Sequence, residues 1–265
     1  MTAAIRSEFR KFFTTRMWWG MAIAIFVAGG AFAALFAFVV HQGTTGGPGS
    51  TPIIGDDTQV ANTVYTSGIS VGYLLMLTIG VMSIGSEYRH KTISATFLAT
   101  PRRTRAMVAK VFALIGIGAV YGLISLVGSV AVGSVGLTLI DRPIFPSSLV
   151  VRSLALSLLV LGLWALIGLG IGILIPNQVA ALLIGIGVAW IVEPLLGLAL
   201  AAWEFGREHI VEYLPSQATN AVVNGISQSA DAVRLEWWGG ALVLAVYAVA
   251  LAGFGIWRTT RADIS

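Results

Sequence analysis

Residues 85–110, GSEYRHKTISATFLATPRRTRAMVAK, contain Arg89, Lys91, Arg102, Arg103, Arg105 and Lys110, six of the sixteen Lys and Arg residues in the chain, against one acid, Glu87. A run of that charge offers a polar, positive surface on which a soluble partner can dock. Read alone, Glu87-Tyr88-Arg89 is a polar helix end with a charge pair. Catalytic chemistry finds little support elsewhere. Lys11, Lys91 and Lys110 are the only lysines, and none lies in a G-x-x-x-x-G-K-[ST] loop that could cradle phosphates. Gly68-Ile69-Ser70-Val71-Gly72 matches G-x-S-x-G. A nucleophile elbow needs a strand-to-helix turn, and this stretch reads as helix, where small residues let helices approach. Gly118/Gly122 and Gly168/Gly172 repeat that spacing. His41, His90 and His209 fall on different loops, and the chain has no cysteine, so no metal centre is expected.

The elements that position these groups follow from composition. Of 265 residues 57% are hydrophobic and 11% charged, well below the roughly 25% charge of soluble domains. Apolar runs of twenty or more residues match the length of a helix crossing about 30 Å of hydrocarbon. Short alternating segments of a closed barrel are missing. An all-α integral membrane protein is expected, forming one domain over residues 1–265.

Residues 1–16, MTAAIRSEFRKFFTTR, place Ile5, Phe9, Phe12 and Phe13 at helical spacing among Arg6, Arg10 and Lys11. This predicts an amphipathic helix in the membrane interface. Six spans are then expected: Met17–Val40, Asn62–Ile84, a span within Met107–Leu139, Arg152–Ile175, one starting after Pro176-Asn177-Gln178, and Trp237–Trp257. Trp18 and Trp19 suit an interfacial anchor. Pro101 ends any helix running from Ser86 to Ala99, and a new helix starts near Arg102. Glu193-Pro194 is expected to break span 5 after about 15 residues, roughly 23 Å of helix, with Leu195–Trp203 resuming beyond. Glu193 is the one acid within an apolar run. At membrane depth it would be a functional group beside a transport path; alternatively it ends the span among hydrated headgroups.

Charge sets the orientation. With both ends inside, the inner segments carry Arg6, Arg10, Lys11, Arg16, the six bases above, Arg258 and Arg261; the outer ones carry Arg142, Arg152, Arg207 and Arg234. Lys and Arg near span ends resist translocation, so both termini are expected in the cytoplasm. The formal net charge of +4 thus reflects topology, and no nucleic-acid partner is implied.

SEFRKFFTTRMWW at the N-terminus, GSEYRHKTISATFLATPRRTRAMVAK between spans 2 and 3, and YLPSQATNAVV before span 6 together resemble the ABC-2 type permeases of bacterial ABC exporters. The most specific match is Gly85, Glu87, Tyr88, Arg89, Thr92, Ile93, Thr100, Pro101, Arg102, Arg103 and Lys110, in that order and spacing. The resemblance implies a six-helix half of a twelve-helix exporter in the bacterial inner or plasma membrane. Its partners would be two cytoplasmic ATPase subunits, which would hold the ATP and Mg, and a second permease half, identical or not. No cofactor is expected in this chain, and it would not be an enzyme by itself. By analogy residues 5–16 and 86–100 touch the ATPase, the latter as a coupling helix within a coupling loop at 85–105. Glu8, Lys11, Glu87, Tyr88, Arg89, Thr92, Ile93, Arg102 and Arg103 are then the contact candidates. A re-entrant outer segment over 194–236 is implied as well.

The apolar, aromatic spans point to a hydrophobic or amphipathic cargo such as a drug, peptide antibiotic or lipid. Two other readings are a non-transporting anchor or sensor of the same fold, and an intramembrane lipid-processing enzyme, for which Glu193 is the one ionisable group available. Because the chain has no cysteine, orientation can be tested directly. An impermeant thiol reagent added to intact cells should label Thr51→Cys and spare Lys91→Cys; the reverse pattern would invert the topology.

Overall fold

The computed structural model describes residues 1–44, 56–93, 103–223 and 235–261. Every regular element among them is helical. Helix α1 covers Thr2–Thr14 and α2 Met17–Thr44. Helices α3, Asp57–Thr66, and α4, Ile69–Arg89, follow almost without a break. Then come α5, Arg103–Leu139, and α6, Ser148–Leu174. Helix α7, Gln178–Gly187, passes through a π turn at Val188–Val192 into α8, Glu193–Ala201. Short helices α9, Glu204–His209, and α10, Pro215–Val223, precede α11, Trp237–Arg261. Six of these helical stretches are long and apolar enough to cross a membrane: Met17–Gly43, Asp57–Arg89, Thr104–Leu139, Ser148–Leu174, Gln178–Ala201 and Trp237–Trp257.

Span 2 starts earlier than hydropathy suggests. The Asp56 carboxylate accepts from the Gln59 N–H at 2.7 Å, a side-chain N-cap. The polar turn beyond it, including Asn62, Thr63 and Thr66, is buried against neighbouring helices. At its other end α4 stops at Arg89, so no single helix runs from Ser86 to Ala99. The Lys91 and Thr92 N–H groups donate back to the carbonyls of Tyr88 and Glu87, with Lys91 left-handed at φ 54°. That is a Schellman-type ending. Leu139 ends α5 the same way, with Asp141 at φ 54°. Of the expected coupling helix at 86–100, residues 94–100 lie outside the described residues. Helix α5 begins at Arg103, where a start was expected, and its 37 residues make about 55 Å, more than one crossing requires.

Span 5 corrects the reading of Glu193-Pro194. The chain stays helical through both residues, with Glu193 at φ −64° and ψ −48°. Pro194 cannot donate a hydrogen bond, and its ring crowds the carbonyl four residues back. The wide turn at Val188–Val192 absorbs this: the Glu193 N–H reaches the Val188 carbonyl, five residues back. Leu195–Ala201 therefore continues span 5 and does not form part of a separate outer fragment. Within the expected outer segment, Pro215–Val223 packs back onto α11 and α6, while residues 224–234 lie outside the described residues.

Two faces build the bundle, α4 on α6 and α2 on α5. The first depends on reciprocal glycines. A Cβ on Gly80 would lie 2.0 Å from the Ala165 carbonyl oxygen, and one on Gly168 2.1 Å from that of Leu77. Gly172 also faces α4, Gly118 and Gly122 face α6, and Gly68 meets Gly29. The small-residue pairs noted in the sequence are thus used within the chain. The Ser70 hydroxyl donates to the Ser67 carbonyl at 3.3 Å, a bond internal to its own helical segment.

Gly168→Ala should destabilise the protein by about 2–3 kcal/mol, because the obstacle is backbone. Gly253→Ala, with nothing within 4 Å of its Cβ position, should be near neutral. Thermal unfolding of the two purified variants checks this; equal midpoints would refute the close α4–α6 contact.

Candidate functional site at the base-rich end

The base-rich end of the bundle is closed by four interlocked charges. Glu8 and Lys11 lie three residues apart on α1, Glu87 sits in the last turn of α4, and Lys110 in the second turn of α5. The Lys110 ammonium donates to Glu87 at 3.0 Å and to the Ser83 carbonyl at 3.2 Å, and also pairs with Glu8. Lys11 donates to Glu8 at 2.7 Å and to Glu87 at 2.9 Å. Each carboxylate therefore meets both ammonium groups. The side chains of Lys110 and Glu87 are only 5% and 8% exposed, whereas Lys11 is 42% exposed. Burial works against the protonated form of Lys11. The hydrogen bonds and attraction of Glu8 and Glu87 outweigh it and raise its pKa above the ordinary lysine value.

Apolar packing brings these charges into register. Phe9 lies over Gly116 of α5. Phe12 meets Tyr121 edge-on at a ring separation of 5.8 Å, and the Tyr121 hydroxyl donates to the Trp18 carbonyl at 2.6 Å. Helix α1 is thus laid along α5 by aromatic rings and tied to α4 by ions. Isolated, each of these charges would be costly to bury; with both signs present in pairs the cost is compensated.

The sequence-derived contact candidates separate into two sets. Glu8, Lys11 and Glu87 face one another, so the Glu87 carboxylate is committed inside the chain. Ile93 is 5% exposed and packs in the core, and Tyr88 is half-buried against it. Arg89 and Thr92 are exposed, as are Arg6, Arg10, His90, Lys91 and Arg105. Arg102 and the side chain of Arg103 lie outside the described residues. Lys110 belongs to the sequence pattern, but its residue type and spacing alone do not mark it as a site. The signal available for it was its place at the foot of span 3, opposite an acid at the foot of span 2.

At the opposite end Arg142 pairs with Asp57, the Arg152 guanidinium lies 4.9 Å from the Trp237 ring centre, and Asn62 meets α10. Glu193 is 5% exposed and accepts from the Ser216 N–H. The three histidines stay apart: His41 in the last turn of α2, His90 at the α4 cap and His209 stacked on Phe205. Among the described residues no three His, Asp or Glu converge as metal ligands.

Removing one member of the four-charge cluster leaves buried charge undercompensated. Glu87→Leu should cost about 3 kcal/mol, and Glu87→Leu combined with Lys110→Met should cost less than the two single changes summed. Denaturant unfolding in detergent measures all three; strict additivity would show that the two residues do not interact.

A family model described as "ABC-2 family transporter protein" matches residues 4–192. That interval takes in α1, the charge cluster and spans 1 to 4, and ends one residue before Glu193. No curated protein matches the chain. The match extends over most of the sequence, and the chain as a whole has six helical stretches long and apolar enough to cross a membrane. The chain belongs to the ABC-2 transporter family and is a multi-pass membrane protein.

Proposed function

We propose that this chain is the permease subunit of an ATP-driven exporter, powered by a dimer of separate cytoplasmic ATPase subunits that bind ATP and Mg. It works beside a second permease half in the bacterial plasma membrane, with both termini in the cytoplasm. The observation that carries the coupling role is the four-charge cluster, which joins α1 to the feet of spans 2 and 3. Around it stand the exposed bases Arg6, Arg10, Arg89 and Lys91, a surface complementary to an acidic face on the motor.

In this reading Glu87, Glu8 and Lys11 do not grip the ATPase. They make the contact surface stiff, so that a push on the turn at His90–Thr92 moves α1, α4 and α5 together. The ATPase must touch this surface differently in its two nucleotide states, or no movement follows. Rigid helices carry the displacement into the bundle. The cargo path lies between two permease halves, and its apolar, aromatic lining suits a hydrophobic or amphipathic cargo.

The test coexpresses the full chain with ABC ATPase subunits from the same genome. Reversing charge at the exposed positions, Arg89→Glu with Lys91→Glu, should lower the co-purified ATPase about tenfold. Glu87→Gln should leave that association within about twofold while lowering stimulation of ATP hydrolysis by the permease. Full association of the charge-reversed variant would reject the docking surface. Retention of the ATPase without any stimulation by the parent chain would favour an anchor.

A further inference from the structure

Helix α10 is held from three different spans, one contact near each end and one in its middle. At its start Pro215 has no N–H, so the first N–H the helix can offer is that of Ser216. Glu193, from span 5, accepts it. In the middle, the Trp164 indole N–H of span 4 donates to the Thr219 hydroxyl at 2.9 Å. At the end, the Asn62 side-chain amide of α3 donates to the Val223 carbonyl at 2.9 Å. Glu193, Trp164, Thr219 and Asn62 are each 5% exposed or less. On its remaining side α10 lies against span 6 so closely that a Cβ on Gly240 would come within 2.5 Å of the Ala218 carbonyl oxygen.

From this arrangement we propose that Glu193 is a positioning residue: it fastens α10 to span 5, so that span 5 cannot shift without moving α10 or releasing it. A carboxyl oxygen suits this place, because it satisfies a helix N–H that has no partner within its own helix. Trp164 and Asn62 then tie the same short helix to spans 4 and 2. Sliding of span 5 is thereby passed to two neighbours through nine residues, Pro215–Val223. A group lining a cargo path would leave its oxygens open; here one of them is committed to backbone. These contacts lie within the chain and are the same in either orientation in the membrane.

The cysteine-free sequence provides the assay. Ala221→Cys, at a position 4% exposed on α10, places the only thiol in the protein. The full chain is purified in detergent micelles, where both ends are open to reagent, so neither topology nor cargo affects the reading. With Glu193 intact, maleimide should react slowly. Glu193→Leu should raise the labelling rate at least about tenfold, since it removes the acceptor of the buried Ser216 N–H. Glu193→Gln keeps an oxygen that accepts from the Ser216 N–H, and should bring the rate back to within about threefold of the parent. Trp164→Phe, which keeps a ring and loses the N–H, should fall between them, and it carries the test if the leucine variant does not yield folded protein. Labelling of the leucine variant at the parent rate would overturn the assignment. So would a glutamine variant as fast as leucine, or an unchanged rate in Trp164→Phe.

Discussion

A buried ion pair between the feet of two membrane helices, Glu87 and Lys110 at 3.0 Å, is the constraint around which the base-rich end is arranged. Neither charge could sit there alone, because removing an ionised group from water costs several kcal/mol. Glu8 and Lys11 supply the remaining counter-charges, and they can do so only if α1 lies where Phe9 and Phe12 place it. The N-terminal helix is therefore an integral part of the bundle's end. Its aromatic face selects the location, and the charges select the rotation. A surface ion pair would contribute little to such an arrangement; burial gives this one its influence.

Much of the architecture could be read from the residues because the bilayer makes hydropathy an unusually direct signal. Spans 1, 4 and 6 are long apolar runs bounded by tryptophans, prolines or polar turns, and their limits in the structure lie close to those expected. The start of span 2 was obscured because its first turn, Asp57-Thr58-Gln59, is polar; the cap that Asp56 makes on the Gln59 N–H begins the helix upstream of the apolar run. The continuation of span 5 through Pro194 was hidden for another reason. Proline weakens a helix locally, but one wide turn upstream and contacts around it restore the backbone bonds. A rule about single residues cannot anticipate that compensation.

The site was legible in type more than in partnership. Glu87, Glu8 and Lys11 were recognisable as important polar groups, which the family resemblance placed against a partner; that they contact one another was not visible in the sequence. Reading charge as surface is a fair first assumption for lysine and glutamate, which are rarely buried unless paired. Here pairing spans 102 residues of chain between Glu8 and Lys110, a separation at which no local spacing rule operates. Trp164 and Asn62 left even less trace: a tryptophan in an apolar span reads as packing, and its indole N–H finds its acceptor only after the chain has folded back.

The wide turn in span 5 also sets a rotational phase. One extra residue inserted into a helix turns everything beyond it by about 100°, since each residue advances the helix by that angle. Trp190, Ile191, Leu195 and Leu198 are exposed on this span while Glu193 is buried among them. Deleting a single residue between Val188 and Val192 would leave the hydrophobicity of the span almost unchanged and swing the carboxylate out toward the lipid. The aim of that one acid is written in the pitch of the backbone beneath it, and hydropathy averaged along the span cannot register it.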